Sequence, residues 1–395
     1  MSDPAVTPAA LPPVPVSDPA RVMRQRQPEI EAALRDVLLH GHYVLGPQVE
    51  QFEREFARWL GTAHTIGVAN GTDALELALR GAEIPAGAPV AIPALTASAT
   101  AAAVVRAGLV PVVLDIDLRT GTLDPQRLRE TCQAYRHIHN RPIAAVVPVH
   151  LYGLPCDLDR LREVAAEFHL ALVEDCAQSH GSSLHGRKTG TFGTTAAFSC
   201  YPTKSLPALG DAGLVVTHDA ATAGRIRELR QYGWKRRHVS EEVGLNSRLD
   251  ELQAAVLRVH LAHLDADNAR RGAIGERYDA AFADLPLSRP VPLPDTHVCH
   301  HQYVIFERRR DALQAHLAGA GIQSSILYPV PIHEQPVYAR MAQHPGHDLP
   351  PPECPAARQA CQSLLCLPLH PLLSPAEVSR VIAAVRGFYL GPSGV

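Results

Sequence analysis

The sequence predicts an α/β protein, with a mostly parallel central sheet flanked by helices and a smaller α+β domain at the C-terminal end. Three observations carry this. Short apolar runs recur between residues 65 and 217, several of them unbroken rather than alternating, as strands covered on both faces require. Helical patterns separate most of the runs, and strand–helix repetition implies parallel pairing through crossovers. After about Asn246 the repetition stops and proline-rich stretches appear.

Element by element, residues 1–20 are broken by prolines and lack both a basic start and an apolar core. They read as a flexible Pro-rich tail rather than a signal peptide. A large domain is expected over 21–260 and a small one over 261–395. Helices are expected over 28–41 and 48–60. Strands are expected over 65–69, 89–92, 110–114, 143–149, 170–173, 195–199 and 213–217. Between them, Leu158, Leu161, Val164 and Phe168 share one helical face behind a capping Asp157. Asp124-Pro125 makes a similar helix start. A long helix over 249–271 opens the second part. A linker (288–296), a strand (303–306), a helix from Asp311 and a proline-broken loop (328–336) follow. The final helix begins at a capping box, Ser374-Pro375-Ala376-Glu377.

Of the 395 residues, 46% are apolar and 19% charged, which supports a sizeable core and excludes disorder throughout. The 37 basic and 40 acidic residues nearly cancel, so the basic excess of a nucleic-acid or anionic-membrane binder is missing. No run reaches the ~18 apolar residues of a membrane span. Eight scattered cysteines without a CxxC read as reduced thiols of a cytoplasmic protein. Cys299-His300-His301 lacks a second ligand pair at zinc spacing and reads as structural, so no metal is expected. Neither GxGxxG nor GxxxxGK[ST] occurs, which argues against a dehydrogenase or an NTPase.

Only three lysines are present, and two of them, Lys188 and Lys235, lie in polar stretches. Lys204 instead ends AAFSCYPTK, on a turn beside apolar and aromatic residues. Partial desolvation there favours the neutral, nucleophilic amine. Asp175 lies at the end of an apolar strand, where a carboxylate either holds a protonated ring nitrogen or caps a helix; Gln178 is three residues on. Asn70-Gly71-Thr72-Asp73 joins a strand to a helix and reads either as a phosphate-binding turn or as an ordinary capped turn. A lysine, an upstream carboxylate and a phosphate turn are the parts a pyridoxal phosphate enzyme needs.

These residues lie in NGTDALELAL (70–79), PVHLYG (148–153), VEDCAQSHG (173–181), FSCYPTKSL (198–206), GDAGLVV (210–216), NSRLDELQAA (246–255) and YPVPIHEQPVY (328–338). Together, in this order, they resemble the DegT/DnrJ/EryC1/StrS sugar aminotransferases, fold-type I enzymes dependent on pyridoxal 5'-phosphate. The resemblance implies that Lys204 forms the Schiff base with the cofactor, Asp175 pairs with its pyridine nitrogen and Gln178 touches its ring hydroxyl. It places Gly71, Thr72 and Ser199 on the phosphate, with Asn246 reaching that phosphate from the other subunit of a homodimer. It implies L-glutamate as amino donor and a nucleotide-linked keto sugar as acceptor. The loop 328–338 looks more like members that aminate C3 than C4, with Tyr328 and His333 near the sugar. Amination of a keto-cyclitol is the alternative. Three positions depart from the family's pattern: Ala97 where a ring-stacking aromatic is common, Ser205 in place of asparagine, and Thr194 in place of aspartate.

Overall fold

The computed structural model describes residues 12–138, 142–342 and 353–391. Its centre is a sheet of seven strands: β1 (His64–Val68), β2 (Pro89–Pro93), β3 (Val110–Leu114), β4 (Ala145–Val146), β5 (Ala171–Asp175), β6 (Thr195–Ser199) and β7 (Gly213–Thr217). They lie in the order β1-β7-β6-β5-β4-β2-β3. The strand β7 runs antiparallel to both its neighbours, and all other pairings are parallel. All seven expected strands are present. The run 143–149 pairs over only two residues, while β5 extends to Asp175, which bridges Val149.

Both faces of the sheet are buried, which is why its runs are continuous. Ala197 and Val215 face a layer built from the helices Gly71–Gly81, Ser98–Arg106 and Ala220–Leu229. The alternate residues Ala196, Phe198, Leu214 and Val216 face the helices Pro47–Leu60 and Glu251–Phe282. The first of these two helices is capped from a distance. The buried Glu251 carboxylate accepts the N–H groups of Gly46, Gln48 and Val49 at 2.8–2.9 Å.

The helix expected over 249–271 runs from Glu251 to Phe282, 32 residues. Its first half packs on the sheet through Leu257 and Leu264, and its second half packs in the C-terminal core through Ile274, Tyr278 and Phe282. The domain boundary placed at 260/261 therefore falls inside one continuous helix. That second core also holds the antiparallel pair Tyr303–Phe306 with Leu364–Leu367, and the helix Pro375–Leu390. The capping box of this last helix is formed in both directions.

The tail expected over 1–20 needs a correction for its second half, while residues 1–11 lie outside the described residues. Val14 is fully buried in the C-terminal core, its N–H donates to the Gly321 carbonyl (2.9 Å), and Leu369 N–H donates to Val16 (3.1 Å). Proline did not leave this segment loose: an extended strip with one apolar side chain finds a groove between 321 and 369. Among the described residues, no helix is long and apolar enough to cross a membrane.

Candidate active site

In parallel α/β sheets ligands lie beyond the carboxyl ends of the strands. Here a cavity of ≈ 560 Å³ opens at that edge, and Asn70, Thr96, Val149, Asp175, Ser199 and Lys204 enter it from the segments after five strands. The amino end of the reversed strand β7 supplies Asp211.

Lys204 sits on a turn closed by its own N–H donating to Tyr201 O (2.8 Å), with Pro202 at the position where a fixed φ suits a turn. Burial pushes its ammonium down to about 8, against the opposing pull of the Asp175 and Cys200 side chains. A substantial fraction of Lys204 is therefore neutral near pH 8. Lys188 differs from the free lysine the sequence suggests: its Nζ donates to Trp59 O and lies 3.9 Å from the centre of the Trp59 ring.

Asp175 ends β5, buried. Desolvation raises its pKa; the Ala177 N–H, the Thr100 hydroxyl and the Lys204 charge oppose this. Thr100 Oγ1 donates to Oδ2 at 2.9 Å, and Thr96 Oγ1 lies 2.8 Å from Thr100 Oγ1. These two threonines were not singled out from the sequence, although both lie in the PALTASAT run that contains Ala97. The neighbouring Glu174 points away from the cavity, as strand alternation requires. It accepts Gly190, Phe192 and Gly193 N–H groups at 2.7–2.8 Å and lies 3.1 Å from His150 Nε2. His150 Nδ1 accepts the Cys156 N–H, so Nε2 carries the proton that Glu174 receives. His150, Glu174 and Cys176 are grouped closely enough to hold a metal, but the N–H donors already occupy the carboxylate. This is a closed structural cluster.

Gln178 lines the cavity and is held from behind at both ends of its amide. Its Oε1 accepts the Tyr152 N–H at 2.7 Å, and its Nε2 donates to Tyr328 Oη at 3.3 Å. Tyr328, pushed up to about 12 by burial and by the nearby Asp175 charge, remains a neutral phenol.

At the opposite wall, Asn70 caps the helix Gly71–Gly81 by accepting the Asp73 N–H (2.8 Å). The N–H groups of Gly71 and Thr72 have no partner among the described residues. A Cβ on Gly71 would lie 2.5 Å from Ser199 Cβ, and one on Gly213 would lie 2.2 Å from Asn70 O. Glycine at both positions lets the helix start press against the end of β6. Two free amides, the positive helix end and the Thr72 and Ser199 hydroxyls then converge, a donor set that fits a phosphate.

Three expected site residues do not line the cavity, and of these Tyr328 is tied to it through its hydrogen bond with Gln178. Asn246 is exposed and does not line the cavity. His333 does not line it either; its ring lies 3.6 Å from Glu334. Ala97 does line the cavity, where the aromatic side chain of the wall is Tyr201. Ser205 is buried, and its hydroxyl has no hydrogen-bond partner. Thr194 lies at the sheet, with its N–H on Leu172 O at 2.8 Å.

The donor set suits pyridoxal phosphate, with a phosphate cup, a lysine whose ammonium is disfavoured by burial and a buried carboxylate around one cavity. Comparison with known proteins agrees. Residues 24–386 match the DegT/DnrJ/EryC1/StrS aminotransferase family. The dTDP-3-amino-3,4,6-trideoxy-alpha-D-glucose transaminase of Streptomyces venezuelae is 42% identical over 379 residues, 96% of this chain and 97% of the relative. The dTDP-3-amino-3,6-dideoxy-alpha-D-galactopyranose transaminase of Aneurinibacillus thermoaerophilus is 38% identical, over 95% and 99% of the two chains. The crystal structure of S. venezuelae DesV in complex with a ketimine intermediate superposes with a TM-score of 0.90 at 42% identity, covering 98% of this chain and all of that one.

Proposed function

Because this chain belongs to the DegT/DnrJ/EryC1/StrS aminotransferase family, we propose that it moves an amino group from L-glutamate to C3 of a nucleoside-diphosphate-linked keto-deoxyhexose. It is a sugar aminotransferase whose cofactor is pyridoxal 5'-phosphate. The observation that carries the residue roles is the meeting of Lys204, Asp175 and the Asn70–Thr72 turn on one cavity.

When bound, the cofactor supplies an electron sink for a carbanion at the substrate carbon. The Lys204 amine, neutral in part near pH 8, is the group that would hold the cofactor, and when free its Nζ could take up and return a proton at the reacting carbon. The Asp175 carboxylate, held by Thr100 and the Ala177 N–H, keeps the ring nitrogen protonated by its charge. Gln178, anchored by Tyr152, orients the ring hydroxyl. Gly71, Thr72 and Ser199 bind the phosphate, and Tyr328 faces the sugar. Asn246, exposed and outside its own cavity, completes the partner's phosphate site in a homodimer.

C3 is favoured over C4 and over a cyclitol because the two relatives above, alike over nearly their whole length, carry 3-amino sugars in their names. The test is to incubate the purified protein with cofactor, glutamate and, in turn, a 3-keto dTDP-sugar, a 4-keto dTDP-sugar and a keto-cyclitol. Release of 2-oxoglutarate, with an amine located at C3 by NMR, is the expected result. Amination at C4, or of a keto-cyclitol alone, would overturn the reading.

A further inference from the structure

Behind Lys204 lies a second, much smaller cavity of ≈ 20 Å³, whose wall includes Ser205, Arg271, His301 and His370. These four arrive from separate parts of the chain: the turn after Lys204, the long helix, the approach to the strand Tyr303–Phe306, and the stretch after Leu364–Leu367. Each is more than nine-tenths buried. Each also leaves polar atoms without a hydrogen-bond partner: Ser205 Oγ, Arg271 Nε and Nη1, His301 Nδ1, and both ring nitrogens of His370. Buried polar groups are almost always paired, so this convergence calls for an occupant.

The occupant's charge follows from the ion pairs around it. Asp18 and Asp267 also line the cavity. Asp267 is bonded by Arg26 at 2.5 Å, and Asp18 is bonded by Arg21 at 3.2 Å. No carboxylate lies within ion-pair distance of Arg271 among the described residues; Asp267 acts on its buried guanidinium only from further away and is already bonded by Arg26, so the two arginines share one carboxylate and a positive charge is left over. A water molecule satisfies N–H groups but leaves that charge uncompensated, and an uncompensated buried charge is costly. The volume admits a single species of about the size of a water molecule.

We propose that this cavity is an anion site, taking one monovalent ion of chloride size on Arg271, with Ser205, His301 and His370 as further donors. The site is separate from the phosphate cup and shares only Lys204 with the larger cavity, so the proposal stands whether or not the sugar reading is right. An anion there balances Arg271 and favours the charged form of the Lys204 amine.

The test uses the cofactor-loaded protein. A crystal soaked in sodium bromide should show an anomalous peak within hydrogen-bond distance of Arg271, saturating at tens of millimolar. Thermal unfolding in sodium chloride should exceed that in sodium gluconate of equal ionic strength, by roughly 2 °C at tenfold excess over Kd. Arg271→Gln should abolish that difference. Bromide absent from the cavity, a peak unchanged in Arg271→Gln, or equal Tm in the two salts would overturn the site; the first measurement needs no variant to fold.

Discussion

Lys204 and Asp175 govern one another, and the coupling has a measurable sign. Burial lowers the lysine to about 8 while the Asp175 charge holds it up. Loading of the apo-protein with cofactor should therefore speed up as pH rises through about 8, following the neutral amine. In Asp175→Asn the midpoint should move to lower pH, because the anion that favoured the ammonium is gone, while turnover collapses. Stopped-flow absorbance during loading checks both; a midpoint that stays put would remove the coupling. Gly71 permits a second test at this scale. Alanine there brings Cβ to 2.5 Å from Ser199 Cβ, an overlap that should cost about 1–3 kcal/mol and push the helix start off the phosphate position. Urea unfolding and cofactor titration should both weaken, and adding Ser199→Gly should restore stability without restoring full cofactor affinity.

Among the elements, the helix Pro47–Leu60 depends on a carboxylate 200 residues away. Glu251 accepts three N–H groups at its start, and a charged acceptor makes each bond stronger than a neutral one. Glu251→Gln should lose about 1–2 kcal/mol of stability in urea unfolding, as for loss of an N-cap, with cofactor binding retained. No sequence pattern discloses such a cap, since donor and acceptor meet only after folding. What the sequence does disclose is local. Seven apolar runs marked seven strands, and the Ser374 capping box and the Asp157 cap were each visible in a few adjacent residues. Lys204 was legible because the chain has only three lysines and this one lies on a turn beside apolar and aromatic residues, away from other charges. Thr100 was not, since a threonine on a helix carries no mark until Asp175 is placed beside it. The strand Leu364–Leu367 was missed because it follows the helix Pro355–Ser363 directly, with no turn residues between them to mark its start. The helix of 32 residues was cut short at Arg271 because its buried face changes partner midway.

The whole molecule has an acid limit built into it. His180 and His260 are both buried and held down to about 3, chiefly by desolvation. His260 also receives Arg26 Nη1 on Nδ1 at 2.6 Å, which leaves no room for a proton on that nitrogen. The unfolded chain takes up protons at these groups near pH 6.5 and the folded chain does not, so stability is complete above that pH and falls below it. At pH 5 the loss should be about 2 kcal/mol for each histidine. Unfolding free energies measured from pH 7 to 5 should show this slope, and His260→Gln should make it shallower while leaving the His180 share in place. Assembly has its own test. Lys204→Ala and Asn246→Asp should each be inactive as homodimers. A mixed dimer concentrates both defects in one site if Asn246 serves its partner, so co-expression should return activity approaching one site per dimer. No recovery on mixing would mean that each chain completes its own site.

The docking of Val14 also sets a timetable. This side chain leaves the ribosome well before its groove, which is made by Gly321, Ile322 and the segment around Leu369. At ordinary synthesis rates the roughly 300 intervening residues take about 15–60 s to appear. Through that interval the sheet and its helices fold without the strap, and a short apolar segment stays exposed to whatever holds nascent chains. The C-terminal core is thus sealed by a piece of chain that waits for the rest of that core to be made.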